Sequence, residues 1–154
     1  MFKKLFTVLF IDENLKEDIA FLKTVPLFKG LSERAFSKIV TIIYKKTYQE
    51  NENVYEPAQE ANVLYIVRSG LVNIEHRGAK DALEEGGFFG ELSLIDLKKH
   101  EGKAVAAKES KLYLIYRVKF DDLVESNAYI GLKIMKNLSK ILALRGALCG
   151  NLPE

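Results

Sequence analysis

The chain has 154 residues, 48% hydrophobic and 29% charged, with a formal net charge of +2. That is enough chain for one domain with a substantial core, and too little positive charge to argue for direct nucleic-acid binding. Its single cysteine, Cys149, excludes an intrachain disulfide framework and fits a reducing cytoplasm. The two histidines, His76 and His100, give no metal-ligand spacing with it, so no metal and no resident cofactor are expected.

The chain opens MFKKLFTVLF, two lysines and then an apolar run. At about six residues the run is too short for a signal-peptide core or a membrane span. Residues 1–14 read as an extra N-terminal element that packs on the domain or on a partner, with a membrane-surface anchor as the alternative. Leu15 to Thr24 has helical spacing, with Leu15, Ile19 and Leu22 on one face, and Pro26 stops it. Ser32 then stands as the N-cap of a second helix through Ala35, Phe36, Ile39 and Val40.

From Ile43 to Arg117 the texture changes to short β-type runs between turn residues. The expected strands are Ile43–Tyr48, Asn53–Tyr55, Asn62–Arg68, Leu71–His76, Ala82–Glu84, Lys103–Lys108 and Lys111–Tyr116. Many short strands at this spacing point to a barrel-like or jelly-roll arrangement.

Gly86 to Ala107, GGFFGELSLIDLKKHEGKAVAA, is the stretch with chemistry in it. Phe89-Gly90-Glu91-Leu92 reads as a tight turn entering a helical turn. Gly90 allows a conformation or a close approach that a Cβ would block, and the N–H groups that follow form an anion cradle beside the Glu91 carboxylate. A sheet-edge turn whose aromatics fill the core would read the same way, and the residues alone leave both open. There is no P-loop and no Gly-x-Ser-x-Gly nucleophile motif. A cupin-type metal enzyme would need clustered histidines, which His76 and His100 do not supply.

After Arg117 the pattern returns to helix. Phe120, Leu123 and Val124 mark a short one, and Ser126 or Asn127 can cap a longer one from Ala128 to Leu148. On it Ile134, Leu138, Ile141 and Leu148 recur on one stripe, widened by Met135, Leu142 and Leu144. One side of such a helix can lie on the strands while the other meets a second copy.

Phe89-Gly90-Glu91-Leu92 with Leu94 and Val105, the phrase Pro26 to Ser32, the strand Leu64 to Gly70 and the closing helix occur in an order that resembles the cyclic nucleotide-binding domain family. The resemblance covers roughly Phe21 to Leu148. It implies a mostly β, α+β fold: a jelly-roll-like antiparallel β-roll over about 43–117, preceded by helices and followed by closing helices over about 118–149. Residues 15–154 would then be one domain. It implies a stand-alone regulatory, ligand-sensing module rather than an enzyme, with a cyclic nucleotide as the small anionic ligand. It also implies a homodimer through the C-terminal helix, or a protein partner. The chain ends at Glu154, so no helix-turn-helix DNA-binding domain is expected to follow.

The residues carried over to the ligand site are Phe89, Gly90, Glu91, Leu92, Glu101, Gly102, Lys103 and Arg145. Glu91 matches the family glutamate that accepts from the ribose 2′-hydroxyl, and Phe89 reads as core more than contact. Backbone N–H groups of Gly90, Leu92 and Gly102 would serve the phosphate. In members of the family two polar residues of the closing helix reach the purine, and their places fall near Arg145 and Gly146. Glu101 stands where the family has the arginine that clamps the cyclic phosphate. That clamp is worth about 1.5–3 kcal/mol, and a carboxylate about 5 Å from the phosphate adds roughly 3 kcal/mol of repulsion at a dielectric near 20. Together they would weaken cAMP or cGMP binding by about three orders of magnitude, unless Glu101 swings out or Lys99 or Lys103 moves in. The alternative is a degenerate domain without ligand, acting in protein interaction or dimerisation. Two turn glycines of the family fall on Asn51 and Ala58; Asn51 tolerates positive φ and Ala58 does not, so the second turn is expected to be reshaped.

Overall fold

In the computed structural model, residues 13–96 and 98–148 are described, with side chains as far as Gly146. The N-terminal element expected over residues 1–14 lies, except for its last two residues, outside them, as does Cys149. The contacts divide the chain into a β unit, Thr41–Asp122, and a helical unit made of the residues up to Val40 and from Leu123 on.

The β unit is an antiparallel β-roll. Its strands are β1 (Ile43–Tyr48), β2 (Asn53–Tyr55), β3 (Glu60–Ala61), β4 (Val63–Ser69), β5 (Val72–His76), β6 (Ala79–Leu83), β7 (Phe88–Phe89), β8 (Lys98–Lys99), β9 (Lys103–Ala106) and β10 (Ser110–Tyr116). They form two four-stranded sheets, β1-β10-β4-β7 and β2-β9-β5-β6, with β3 and β8 as a separate pair. β4 reads VLYIVRS and is buried on both sides for its first five residues, which is why its pattern is a continuous apolar run. Tyr48, Tyr65, Val67, Val72, Phe89, Ala104, Ala106, Leu112 and Leu114 form the core between the sheets. Each Val or Leu buried there contributes about 1.5–3 kcal/mol.

Register assigns the two faces of the second sheet. Val72 and Ile74 pair with Leu83 and Asp81 on one side and with Ala106 and Ala104 on the other; Val72, Ala104 and Ala106 face the core with Ile74 and Leu83 packed against them, while Asp81 is exposed. Asn73 and Glu75, paired with Ala82, Lys80, Val105 and Lys103, take the opposite face. β1 and β2 fall on their predicted spans. β6 starts at Ala79, three residues before the predicted Ala82, because Arg77 (φ 49°) and Gly78 (φ 81°) make a two-residue hairpin turn straight after β5. The two-residue strands β3, β7 and β8 are too short to show any alternation and were not predicted.

The helical unit holds α1 (13–22), a 3-10 turn Pro26–Phe28, α2 (Glu33–Val40), and α4 (Ala128–Leu148); α3 (Arg117–Ser126) begins in the β unit. Pro26 sits in the first turn of the 3-10 segment, where no N–H is missed. The Ala35 N–H donates to Ser32 Oγ at 3.2 Å, the N-cap predicted for α2. Asn137 on α4 donates through Nδ2 to the Leu27 and Lys29 carbonyls, both at 2.9 Å, and so holds α4 to the 3-10 turn. Lys38 donates to Asn127 Oδ1 at 2.8 Å just ahead of α4. Leu27, Phe28, Ile134 and Leu138 are buried, whereas Tyr129, Leu132 and Leu144 of the same helix are exposed.

Candidate functional site

β4 sets the site. β7 pairs Phe89 with Tyr65 and Phe88 with Ile66, which delivers the chain to Gly90 at the end of the sheet. Gly90 has φ 73° and ψ 15°, a left-handed conformation, and a Cβ there would lie 2.5 Å from the Val63 carbonyl oxygen. Any side chain at Gly90 would therefore force the turn off β4. A 3-10 helix, Glu91–Leu94, starts at once. The Ser93 N–H donates to the Gly90 carbonyl at 3.0 Å, so one N–H of the expected cradle is spent inside the turn.

Arg117 closes the other end of this turn. Nη1 donates to the Ser93 carbonyl at 3.4 Å and Nη2 to the Ile95 carbonyl at 3.5 Å, while Nε faces Asp121 Oδ2 at 3.4 Å. Sequence reasoning used Arg117 only as an element boundary, and no local pattern marks its role. Glu91 is buried at the turn, Leu92 is exposed, and Ser93 Oγ is buried with no hydrogen-bond partner among the described residues.

Behind the turn stands a group of rings. Phe89 and Tyr65 are stacked, 4.9 Å between centroids and 9° between planes. Tyr55 lies 6.0 Å from each of them. His100 lies flat on Tyr55 at 3.6 Å and 5°. Phe89 is thus a core residue, buried by its stack and its pairing to β4. Burial, then the charge of Glu91, pushes the Tyr55 hydroxyl up to about 12. Burial alone pulls the His100 imidazole below its ordinary value.

The loop bearing the remaining candidates is tied down by backbone bonds. β8 pairs Lys98 and Lys99 with Ala61 and Glu60. The His100 N–H donates to the Gln59 carbonyl and the Ala58 N–H to the His100 carbonyl, both at 2.8 Å. Ala58 carries φ 68° and Asn51 φ 66°. The second turn is therefore not reshaped as expected: its bond to His100 holds Ala58 in a left-handed conformation, at a cost of roughly 1–2 kcal/mol.

Glu101 turns toward the β5–β6 hairpin. Arg77 Nη2 donates to Glu101 Oε1 at 2.9 Å and Arg77 Nε to Oε2, with His76 Nε2 at 3.8 Å. The bond from Arg77 is the main cause holding the Glu101 carboxyl below its usual range. Gly102 packs so close to β5 that a Cβ would fall 1.7 Å from the Glu75 carbonyl oxygen. Lys103 Nζ faces Glu75 Oε2 at 3.8 Å, and Lys98 Nζ faces Asp96 Oδ2 at 3.6 Å. The structure so gathers Phe89 to Leu92 in one turn, and sets Glu101 and Lys103 against hairpin residues. Arg145 belongs to the helical unit and is exposed near the end of α4. A shallow depression of about 370 Å³ lies over Asn73, Glu75, Lys80, Lys103 and Val105. Among the described residues no cluster of His, Cys, Asp and Glu could hold a metal ion, and no helix is long and apolar enough to cross a membrane.

Comparison with known proteins agrees with this fold. The family profile described as Cyclic nucleotide-binding domain matches residues 45–127. The chain is 26% identical over 130 residues to the Cyclic AMP receptor protein of Thermus thermophilus, covering 80% of this chain and 58% of that protein. It is 30% identical over 77 residues to the cAMP-dependent protein kinase regulatory subunit of Candida albicans, covering 49% of this chain and 17% of that protein. The chain therefore spans less than two thirds of the length of these curated relatives. The crystal structure of the Thermus thermophilus Catabolite Activator Protein superposes with a TM-score of 0.70 at 25% identity, covering 80% of this chain and 59% of that one.

Proposed function

This chain belongs to the cyclic nucleotide-binding domain family, and we propose that it works as a regulatory, ligand-sensing module whose ligand is a small anion of the cyclic nucleotide class. The observation that carries this reading is the built turn: a left-handed Gly90, a 3-10 helix clasped by Arg117, and Glu91 buried beside it. Glycine takes this left-handed conformation without a Cβ penalty and lets a ligand approach the backbone closely, with the Glu91 carboxylate beside it as an acceptor. cAMP is the first candidate, since the relatives named above are cAMP proteins. A cytoplasmic setting fits a chain with one cysteine.

We propose further that the affinity is weak. With Glu101 drawn to Arg77, the repulsion it would exert on a bound phosphate is relieved, but the missing guanidinium is not replaced. The deficit is then the clamp alone, about one to two orders of magnitude in affinity. Ligand binding would shift α4, which would pass the change to a second copy or a partner protein.

Titration calorimetry with cAMP and cGMP tests this on wild type, Glu91→Ala and Glu101→Arg. Weak binding by wild type, loss in Glu91→Ala and a gain of about tenfold or more in Glu101→Arg is the expected pattern. Unchanged affinity in Glu91→Ala would overturn the assignment. A second reading, a ligand-free dimerisation module, is favoured by the exposed Tyr129, Leu132 and Leu144 on α4. Silence of wild type and Glu101→Arg alike, together with a dimer in sedimentation, would select it.

A further inference from the structure

The β5–β6 hairpin leaves one sheet edge open. β6 ends the sheet β2-β9-β5-β6, pairs with β5 alone among the described residues, and is exposed from Ala79 to Ala82. Its register with β5 runs unbroken, and the strand has no proline or bulge to blunt the edge. Arg77 and Gly78 make a two-residue turn, so His76 and Ala79 exchange backbone hydrogen bonds, and by alternation so do Ile74 with Asp81 and Val72 with Leu83. The N–H and C=O groups of Lys80 and Ala82 therefore point away from β5, toward the open edge. Side chains alternate in the same rhythm, so Lys80, Ala82 and Glu84 share the outer face of the sheet.

Charge decides what this edge can meet. Lys80 and Glu84 stand two residues on either side of Ala82, and both are exposed. Glu75, opposite Lys80 on β5, faces Lys103 at 3.8 Å, and Arg68 takes Glu85 at 3.2 Å rather than Glu84. We infer that a second copy of this chain docks on β6, antiparallel about a two-fold axis at Ala82, so that each Lys80 stands opposite the partner's Glu84. The Ala82 N–H donates to the carbonyl of the partner's Ala82 and the reverse, and the two four-stranded sheets become one. Other axes are opposed. One at Asp81 sets that carboxylate against its own copy, and one at Lys80 does the same with two ammonium groups. With the axis at Ala82, Asp81 stands opposite the partner's Leu83. The charges that repel strands in the other registers thus select this one. The contact needs no ligand and uses none of the exposed residues of α4.

The test is sedimentation velocity over a concentration series from micromolar to millimolar, with circular dichroism as the check on folding. The proteins are wild type, Lys80→Glu, Glu84→Lys, the double exchange Lys80→Glu with Glu84→Lys, and Ala82→Pro. Wild type is expected to dimerise. Each single reversal turns both attractive pairs of the dimer repulsive and weakens association about tenfold. The double exchange restores it, since each reversed residue again meets an opposite charge. Lys80 and Glu84 lie about 13 Å apart along one extended stretch, too far to pair within one copy while standing off the sheet, so repair reports a contact between copies. Ala82→Pro removes an outward N–H, which an edge strand tolerates, and is expected to abolish the dimer and keep the fold. A monomeric wild type, a dimer indifferent to these variants, or a double exchange no better than its singles overturns the inference and leaves the sensor reading intact. Indifference would place the dimer elsewhere, as on α4. If Ala82→Pro fails to fold, the charge exchange alone decides.

Discussion

Arg77 and Glu101 form a two-point ion pair across the β5–β6 hairpin and the loop before β9, with Nη2 donating to Oε1 at 2.9 Å and Nε donating to Oε2. The carboxylate that the family resemblance sets at the phosphate clamp therefore already has a cation of its own. Arg77→Ala frees that carboxylate. The pair is exposed, so the thermal midpoint is expected to move very little, whereas cAMP affinity drops further as the unpaired charge repels the phosphate. Equal cAMP affinity in wild type and Arg77→Ala would show that Glu101 does not act on the site.

Gly102 is a packing requirement. Its missing Cβ would sit 1.7 Å from the Glu75 carbonyl oxygen, a backbone atom of a paired strand that cannot move aside. Gly102→Ala is expected to destabilise the protein by about 3 kcal/mol or more through forced separation of β9 from β5. Chemical denaturation measures it; a change under about 0.5 kcal/mol, as at an ordinary surface site, would refute the close packing.

Ala58 is the opposite case. Its φ of 68° is left-handed without a glycine, and its N–H bond to the His100 carbonyl holds it there. Ala58→Gly removes the Cβ conflict and is expected to stabilise the fold by about 1 kcal/mol, the left-handed penalty less the glycine entropy. Equilibrium unfolding in urea gives the sign directly.

Arg117 organises the 3-10 turn after Gly90 by donating to the Ser93 and Ile95 carbonyls. Arg117→Ala leaves these acceptors without their cation and is expected to cost about 1–3 kcal/mol. Amide hydrogen exchange should accelerate first at Ser93 to Asp96. Arg117→Lys, which keeps the charge but not the fork, should fall between.

Alkaline pH should unfold the β-roll. Burial is the first cause that pushes the Tyr48 and Tyr55 hydroxyls from 10.0 up to about 12, and Tyr65 higher still. A folded-state value above the unfolded one stabilises the fold fully below pH 10 and loses that contribution as pH climbs through the folded value. Stability is expected to be flat up to about pH 9 and to decline steeply from pH 10 to 12. Tyr48→Phe removes one of the three titrations, and its stability profile should decline less steeply there.

Much of this was legible along the chain. β1 and β2 fall on their predicted spans, the Ser32 cap is present, α1 ends at residue 22 ahead of Pro26, and the turn at Gly90 enters a helical turn at once. α4 runs from Ala128 to Leu148 as its apolar spacing requires. These features rest on interactions within a few residues: a side chain capping the third N–H beyond it, a ring fixing φ, a period matched to one face.

The tertiary structure alone decided the rest. Ala58 takes a conformation its own preferences oppose, because a bond from 42 residues away (Ala58 N–H to His100 carbonyl) outweighs them. Glu101 faces Arg77, 24 residues earlier in the chain, His100 lies on Tyr55, and Arg117 reaches Ser93. None of these partners could be read from spacing, since they depend on the registers with which β5 meets β9, β3 meets β8, and β4 meets both β7 and β10. A strand that slips by one residue exchanges its faces. Local chemistry determined that a glycine turn into a helical turn exists at Gly90; register determined which partners the side chains of the following loop meet.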